Sequence, residues 1–340
     1  MGGVALHAAW FVTGTYPWDW SFSVQPLSLA YLGAAIALVV GVRIAGSLLG
    51  EGIEIGWLAR LAPYMPFCVR IHVGAALIML ASLGMYLTPA MKLQPDLAGY
   101  LLGTFSVVVG VLLVAGWQTR LAAWLLIVSG PLGLLFFGVA PVLGRIDLLG
   151  AAVFLLFTGG GHWSADWEMG RTREFNFHDA ARGIWALRIA AGLALVFAGF
   201  SEKLANPALA MAFLQLYPHF NFLAAIGIPI PDLEFIRLMG ASEVLLGLLL
   251  ISGSIPQLVM VAAALPFVAT LLMFGTVELA GHLPAHAALI AFLVFGSHPV
   301  LRPSVWALWP WSREGKMLGA PRHVSRDHPV VKGSHRRSTS

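Results

Sequence analysis

Polar residues are sparse along this chain and collect between long apolar runs. A helix rising ~1.5 Å per residue needs about 20 apolar residues to cross ~30 Å of hydrocarbon. Runs of that kind predict spans at Leu27–Leu49, Phe67–Leu87, Leu97–Trp117, Leu121–Ala140 and Leu143–Gly159. A second set is predicted at Ile184–Leu204, Leu233–Ser252, Ile255–Leu279 and Ala285–Leu301. The pattern therefore predicts an all-α polytopic membrane protein with about nine transmembrane helices, one leading helix and two tandem four-helix units.

The segments between the runs divide the chain further. Residues 1–26 are aromatic and carry Asp19 as their only charge, which suits an interfacial N-terminal segment; Val4–Val12 is too short to span. Residues 27–64 hold the leading helix and a loop, 65–160 the first four-helix unit, and 161–183 a polar cytoplasmic linker. The second unit covers 184–310, with a surface lid at 205–232 punctuated by Pro207, Pro218, Pro229 and Pro231. Residues 311–340 form a basic tail whose composition predicts disorder.

Composition agrees with a bilayer protein. Of the 340 residues 59% are hydrophobic and 11% charged, and a soluble domain carries about 25% charged residues. The net charge of +4 does not point to nucleic acid, because seven of the 20 Lys and Arg residues lie beyond position 312 and most others flank apolar runs. With the tail in the cytoplasm, the loops on that side hold Arg60, Arg120, Arg171, Arg173 and Arg182, and the outer side keeps Lys92, Arg145 and Lys203. The expected location is a bacterial cytoplasmic (inner) membrane with a cytoplasmic C-terminus. No basic stretch precedes Val4–Val12, so a cleaved signal peptide is not expected. Cys68 is the only cysteine, which excludes an intramolecular disulfide, a Cys-x-x-Cys pair and a cysteine-ligated cluster. Any redox role then rests on a bound quinone, haem or metal, or on another subunit.

An internal repeat is legible. Arg70-Ile-His-Val-Gly-Ala-Ala-Leu matches Arg188-Ile-Ala-Ala-Gly-Leu-Ala-Leu at an offset of 118. Gly103, Gly110, Gly116, Gly138, Gly144 and Gly159 match Gly240, Gly247, Gly253, Gly275, Gly281 and Gly296 at an offset of 137. Both copies hold four spans, which predicts parallel repeats related by an axis along the membrane normal.

In the second copy Arg188 opens an apolar helix that ends Gly199-Phe-Ser-Glu-Lys-Leu204, and Gly240-Ala-Ser-Glu243 and Gly253 follow. That order across roughly 185–300 resembles the DoxX/DoxD-like membrane proteins, four-helix units that include the small subunit of thiosulfate:quinone oxidoreductase. The resemblance implies the membrane subunit of a quinone-linked oxidoreductase, with quinone or quinol bound in the second unit and another protein subunit as partner. Arg188 and Arg237 are then candidates for holding the cofactor.

Ionisable side chains inside the bilayer are costly, roughly 2.5–3.5 kcal/mol each at a helix centre, and are functional candidates on that ground. Glu243, Lys203 and Glu202 are the candidate catalytic groups; pairing of Lys203 with Glu243 would neutralise both, and locking helices together is the alternative role. Glu278, His282 and His286 recur every four residues and offer a carboxylate and two imidazoles to a transition metal, or protons to a quinone head-group. Capping of helix ends is their plainer role. Pro284 is expected to break the helix, so that Glu278 closes one span, His282 sits in the turn and His286 opens the next. A non-enzymatic assembly or metal-handling factor using Glu278, His282 and His286 is the competing function. In the first copy Gly84, Met85, Ser106, Pro141, Arg145 and Leu149 stand at the positions of Glu202, Lys203, Glu243, Glu278, His282 and His286. A single site in the second copy is the expectation, with the first copy as scaffold. No nucleotide-binding or hydrolase motif occurs in the chain.

Overall fold

The structure, a computed structural model, describes residues 8–49, 53–172 and 174–309. The start of the N-terminal segment, loop position Glu51, linker residue Arg173 and the tail 311–340 fall outside the described residues. Among the described residues the chain is helical, with no strand. The main helices are α1 (Pro26–Leu49), α2 (Met65–Ser82), α3 (Leu97–Ala115), α4 (Thr119–Phe137) and α5 (Ile146–Thr158). They are followed by α6 (Phe177–Gly199), α7 (Pro207–Leu216), α8 (Asp232–Ser252), α9 (Pro256–Phe274) and α10 (Thr276–Gly296). Eight of these are long and apolar enough to cross a membrane; α5, with 13 residues, is shorter, and α7 is a surface helix of 10. The protein is thus an all-α, multi-pass membrane protein.

The turns follow local chemistry. Gly116 and Gly253 close α3 and α8 in the left-handed region (φ 64° and 71°), where a side chain would be strained. The carboxylate of Asp96 caps α3 by accepting from Gly99 N at 2.7 Å. One expected boundary is wrong. Gly275 (φ 63°, ψ −130°) ends α9, and α10 then runs unbroken through Pro284. A buried proline that removes one helical N–H is tolerated in a spanning helix whose neighbours pack around it. Glu278, His282 and His286 therefore share one face of one helix rather than flanking a turn.

Small residues decide which helices meet closely. Gly74 of α2 faces Gly110 of α3 so tightly that a methyl on Gly74 would lie 2.7 Å from the Gly110 carbonyl. Gly192 of α6 and Gly247 of α8 make the same approach, with a methyl on Gly247 2.5 Å from the Gly192 carbonyl. Two further pairs join the halves of the chain, α5 against α6 and α2 against α10. In α10, 67% of the spanning window is buried, against 11% in α1, so α10 is a core helix and α1 a peripheral one resting on α8. The helices alternate in direction. One end of the bundle carries Arg145, Lys203 and Glu278, the other Arg70, Arg188 and Gly253.

The lid and the N-terminal segment pack on each other. Phe22, Leu209, Phe213, Phe220 and Phe235 form one apolar cluster, and Phe11 stacks on Phe274 with ring centroids 3.9 Å apart. The N-terminal segment is thus a strap tied into the lid, which is more than an interfacial anchor.

Beyond α10, His298 Nδ1 accepts from the N–H groups of Val300 (3.2 Å) and Leu301 (3.4 Å), and its ring lies 5.1 Å from Phe177. Burial pushes its pKa below the ordinary 6.5, with Glu54 opposing more weakly. As pH falls the unfolded chain then takes the proton before the folded one, so this contribution is complete above pH 6.5 and declines below it. Melting temperature measured from about pH 7.5 to about pH 5.5 should fall more in the native protein than in His298→Gln. Parallel profiles would refute the assignment.

Candidate functional site

The last turn of α6 is wider than an α-turn. Residues Phe200–Leu204 form a π-turn in which Ala205 N donates to Phe200 O at 2.7 Å. The extra residue re-aims consecutive side chains. As a result Glu202 and Lys203 are both buried, yet they point to different neighbours. Lys203 Nζ lies 2.9 and 3.0 Å from the two carboxylate oxygens of Glu243 on α8. Glu202 faces the other way, and its Oε2 accepts from Ala8 N at 2.6 Å. It also lines a cavity of about 160 Å³ together with Trp10, Trp18, Arg145 and Asn206.

On α10, His282 Nδ1 stands 3.1 Å from Glu278 Oε1, and both side chains are almost wholly buried. The imidazole is held between rings, with Trp10 at 4.7 Å and Phe267 at 4.6 Å. Trp10 reaches this depth because Gly281 leaves the space a methyl would fill. His286, one turn further along, lies 5.7 Å from Phe267. The three candidate metal residues share a face but are not gathered as a ligand set: among the described residues no group of three His, Cys, Asp or Glu side chains stands as a metal site. His72 bonds within its own helix, Nδ1 to Cys68 O at 2.8 Å.

The residue that joins these parts comes from the first half. Arg145, at the head of α5 and 6% exposed, donates from Nη1 to Gly281 O at 2.5 Å and from Nη2 to Asp147 Oδ2 at 3.1 Å. Its Nε and Asp147 Oδ1 are both buried with no hydrogen-bond partner among the described residues. With Gly144 and Ala198, Arg145 forms the wall common to the Glu202 cavity and to a second one of about 60 Å³. That second cavity is apolar over most of its surface (Leu195, Met260, Phe267, Leu289, Phe292) and polar where Arg145, Asp147 and His282 meet.

Arg145, whose position matches that of His282 at the offset of 137, lines the second cavity together with His282 from the other half of the chain. Lys203 and Glu243 line neither of the two cavities, and of the three predicted catalytic groups only Glu202 does. Arg237 is engaged with the leading helix and the strap, bonding Ser28 (2.9 Å), Gln25 (2.5 Å) and Glu234 (2.5 Å) over the Phe22 ring. Arg188 lies near the middle of α6 and lines neither cavity. Sequence reasoning missed Asp147, Phe267 and Trp10; an Arg-x-Asp pair inside an apolar run was the available signal for Asp147. The chain matches no protein-family model, no curated protein and no solved structure.

Proposed function

We propose that this protein binds a quinone or quinol between its two halves and acts as the membrane subunit of a quinone-linked oxidoreductase of DoxX-like type. The observation that carries the reading is the orphaned pair lining the second cavity, one donor at Arg145 Nε and one acceptor at Asp147 Oδ1. Buried polar groups in proteins are nearly always partnered, and each one left unmade costs about 1–3 kcal/mol. A ligand head carrying an oxygen that accepts and a hydroxyl that donates satisfies both. The lining beyond them is apolar, as a ring and an isoprenoid-like tail require, and the cavity of about 60 Å³ has to widen between the halves to admit them.

A bound quinone supplies reversible two-electron, two-proton chemistry. Arg145 and Asp147 hold and orient its oxygen-bearing edge, and His282 holds a proton at the cavity wall with Glu278 behind it. Phe267 and Trp10 exclude water from the imidazole. Electrons come from a partner subunit, since a lone cysteine leaves this chain no cysteine-ligated cluster. In this reading the matching glycine approaches and buried arginines of the two halves support a tandem duplication, with the Arg188 end in the cytoplasm of a bacterial cell.

The test is binding of a short-chain quinol to protein in nanodiscs, followed by quenching of Trp10 with Trp10→Phe as blank. Arg145→Gln and Asp147→Asn should each weaken binding by about 10- to 100-fold, the scale of a buried hydrogen bond to a charged group. Ser106→Ala, in α3, should leave it unchanged. Native affinity in both site variants at equal folded yield, or no binding by the native protein, would overturn the reading.

A further inference from the structure

At the end of the bundle opposite the proposed site, two guanidinium groups share one neighbourhood. Arg188 is 0% exposed; its Nη2 donates to Ala307 O at 2.5 Å, and its Nε and Nη1 have no hydrogen-bond partner among the described residues. Arg43, on the peripheral helix α1, donates from Nη1 to Trp306 O at 2.8 Å and to Ser252 O at 3.1 Å. Among the described residues neither guanidinium makes an ion pair. Glu54, on the adjoining loop, is engaged by Arg302 at 3.9 Å.

Arg70, which holds the matching place in the first half, is provided for. Its Nε donates to Gly160 O (3.0 Å), its Nη1 to Leu113 O (3.0 Å) and Val114 O (2.6 Å), and its Nη2 to Trp163 O. Asp166 supplies a counter-charge within electrostatic range and is itself fixed by Gln118 N (2.9 Å) and Thr119 N (2.8 Å). Position 303, which corresponds to Asp166 at the repeat offset of 137, is a proline. The second half thus lacks the acid and keeps the buried cation, and the leading helix sets another cation beside it. Two neighbouring cations in a low-dielectric setting repel unless an anion joins them.

We infer that Arg43 and Arg188 form an anion seat filled by the phosphate of an anionic lipid. Arg43, half-buried at the rim, offers the contact, and Arg188 beneath it gains the counter-charge. The setting favours a lipid over a soluble ion. The apolar side chains Ile44, Leu308 and Trp309, each 58% exposed, surround the rim as a surface for acyl chains. Trp185 and Trp309 meet edge to face at 5.4 Å, and the Trp185 indole donates to Leu308 O at 3.0 Å, an arrangement suited to headgroup depth.

The full chain is reconstituted in nanodiscs of phosphatidylcholine alone, with added phosphatidylglycerol, or with inorganic phosphate in the buffer. The native protein should melt about 3 °C higher with phosphatidylglycerol, and this gain should shrink as salt is raised. Arg43→Gln should lose the gain and Arg43→Lys should keep most of it, whereas Arg120→Gln, at the same end on α4, should keep all of it. Native mass spectrometry of the unaltered chain, which does not depend on any variant folding, should retain phosphatidylglycerol in preference to phosphatidylcholine. Equal stabilisation by phosphatidylcholine, an undiminished gain in Arg43→Gln, an equal loss in Arg120→Gln or no lipid preference would overturn the seat. Inorganic phosphate giving the full gain would overturn its assignment to a lipid.

Discussion

Lys203→Met is expected to destabilise the protein by about 3–5 kcal/mol, because it deprives a carboxylate that is 4% exposed of the ammonium 2.9 Å away. Glu243→Gln should cost a similar amount from the other side, leaving Lys203 buried against a neutral amide. The pair ties the π-turn of α6 to α8, so both variants should loosen the same crossing. Lys203→Met combined with Glu243→Gln removes both charges and should recover most of the loss, as buried ion pairs replaced by uncharged side chains commonly do. Melting temperature and monodisperse yield in detergent read this directly. A double variant no better than either single one would show that the two groups do not act as a pair. The same series separates stability from binding. Since neither residue lines the cavities beside Arg145, the folded fraction of the double variant should bind quinol with native affinity.

The second large effect is at the α6–α8 crossing. A methyl at Gly247 would sit 2.5 Å from the Gly192 carbonyl and 2.8 Å from a Val196 methyl, so Gly247→Val forces the helices apart. Overpacking of this kind costs typically about 1–3 kcal/mol, and a backbone carbonyl cannot rotate away as a side chain can. Gly41, inside α1, has nothing within 4 Å of the same position. Gly41→Ala should therefore go the other way, gaining about 0.5–1 kcal/mol from helix propensity. Thermal melts of the two variants should move in opposite directions. If both fall, or if Gly247→Val is neutral, close glycine packing is not what holds α6 to α8.

These two effects concern the frame, and the binding proposal depends on that frame being intact. The α6–α8 crossing holds the π-turn, and with it Glu202, against the strap. The strap in turn places Trp10 over Gly281 and beside His282. A change at the glycine crossing should therefore weaken ligand binding as well as stability, whereas Arg145→Gln, which also leaves Asp147 without its cation, should weaken binding by the folded fraction itself.

Much of the architecture was legible in the order of residues. Apolar runs long enough to span the bilayer located the helices, since burial of helical backbone in hydrocarbon depends on length and composition within one segment. Lys203 and Glu243 were recognisable as a pair because charges of opposite sign within two apolar helices have few other ways to be neutralised. The boundary at Gly275 was not legible: a proline is the stronger local break signal, and it lost only because the helices around α10 support the turn at Pro284. The π-turn was also hidden, since it depends on where α6 meets the lid and α8.

The candidate site depended most on tertiary structure. Arg145 and His282 are separated by more than a hundred residues and belong to different halves, and their sequence environments only marked them as occupants of equivalent positions. What makes them one site is the packing of α5 on α6 and of α2 on α10, which brings the head of α5 against the first turns of α10. Hydropathy is a property of a segment and survives in the sequence. Which polar groups converge, and which are left without a partner in the wall of a cavity, is a property of helix faces in contact, and it exists only once the halves have closed.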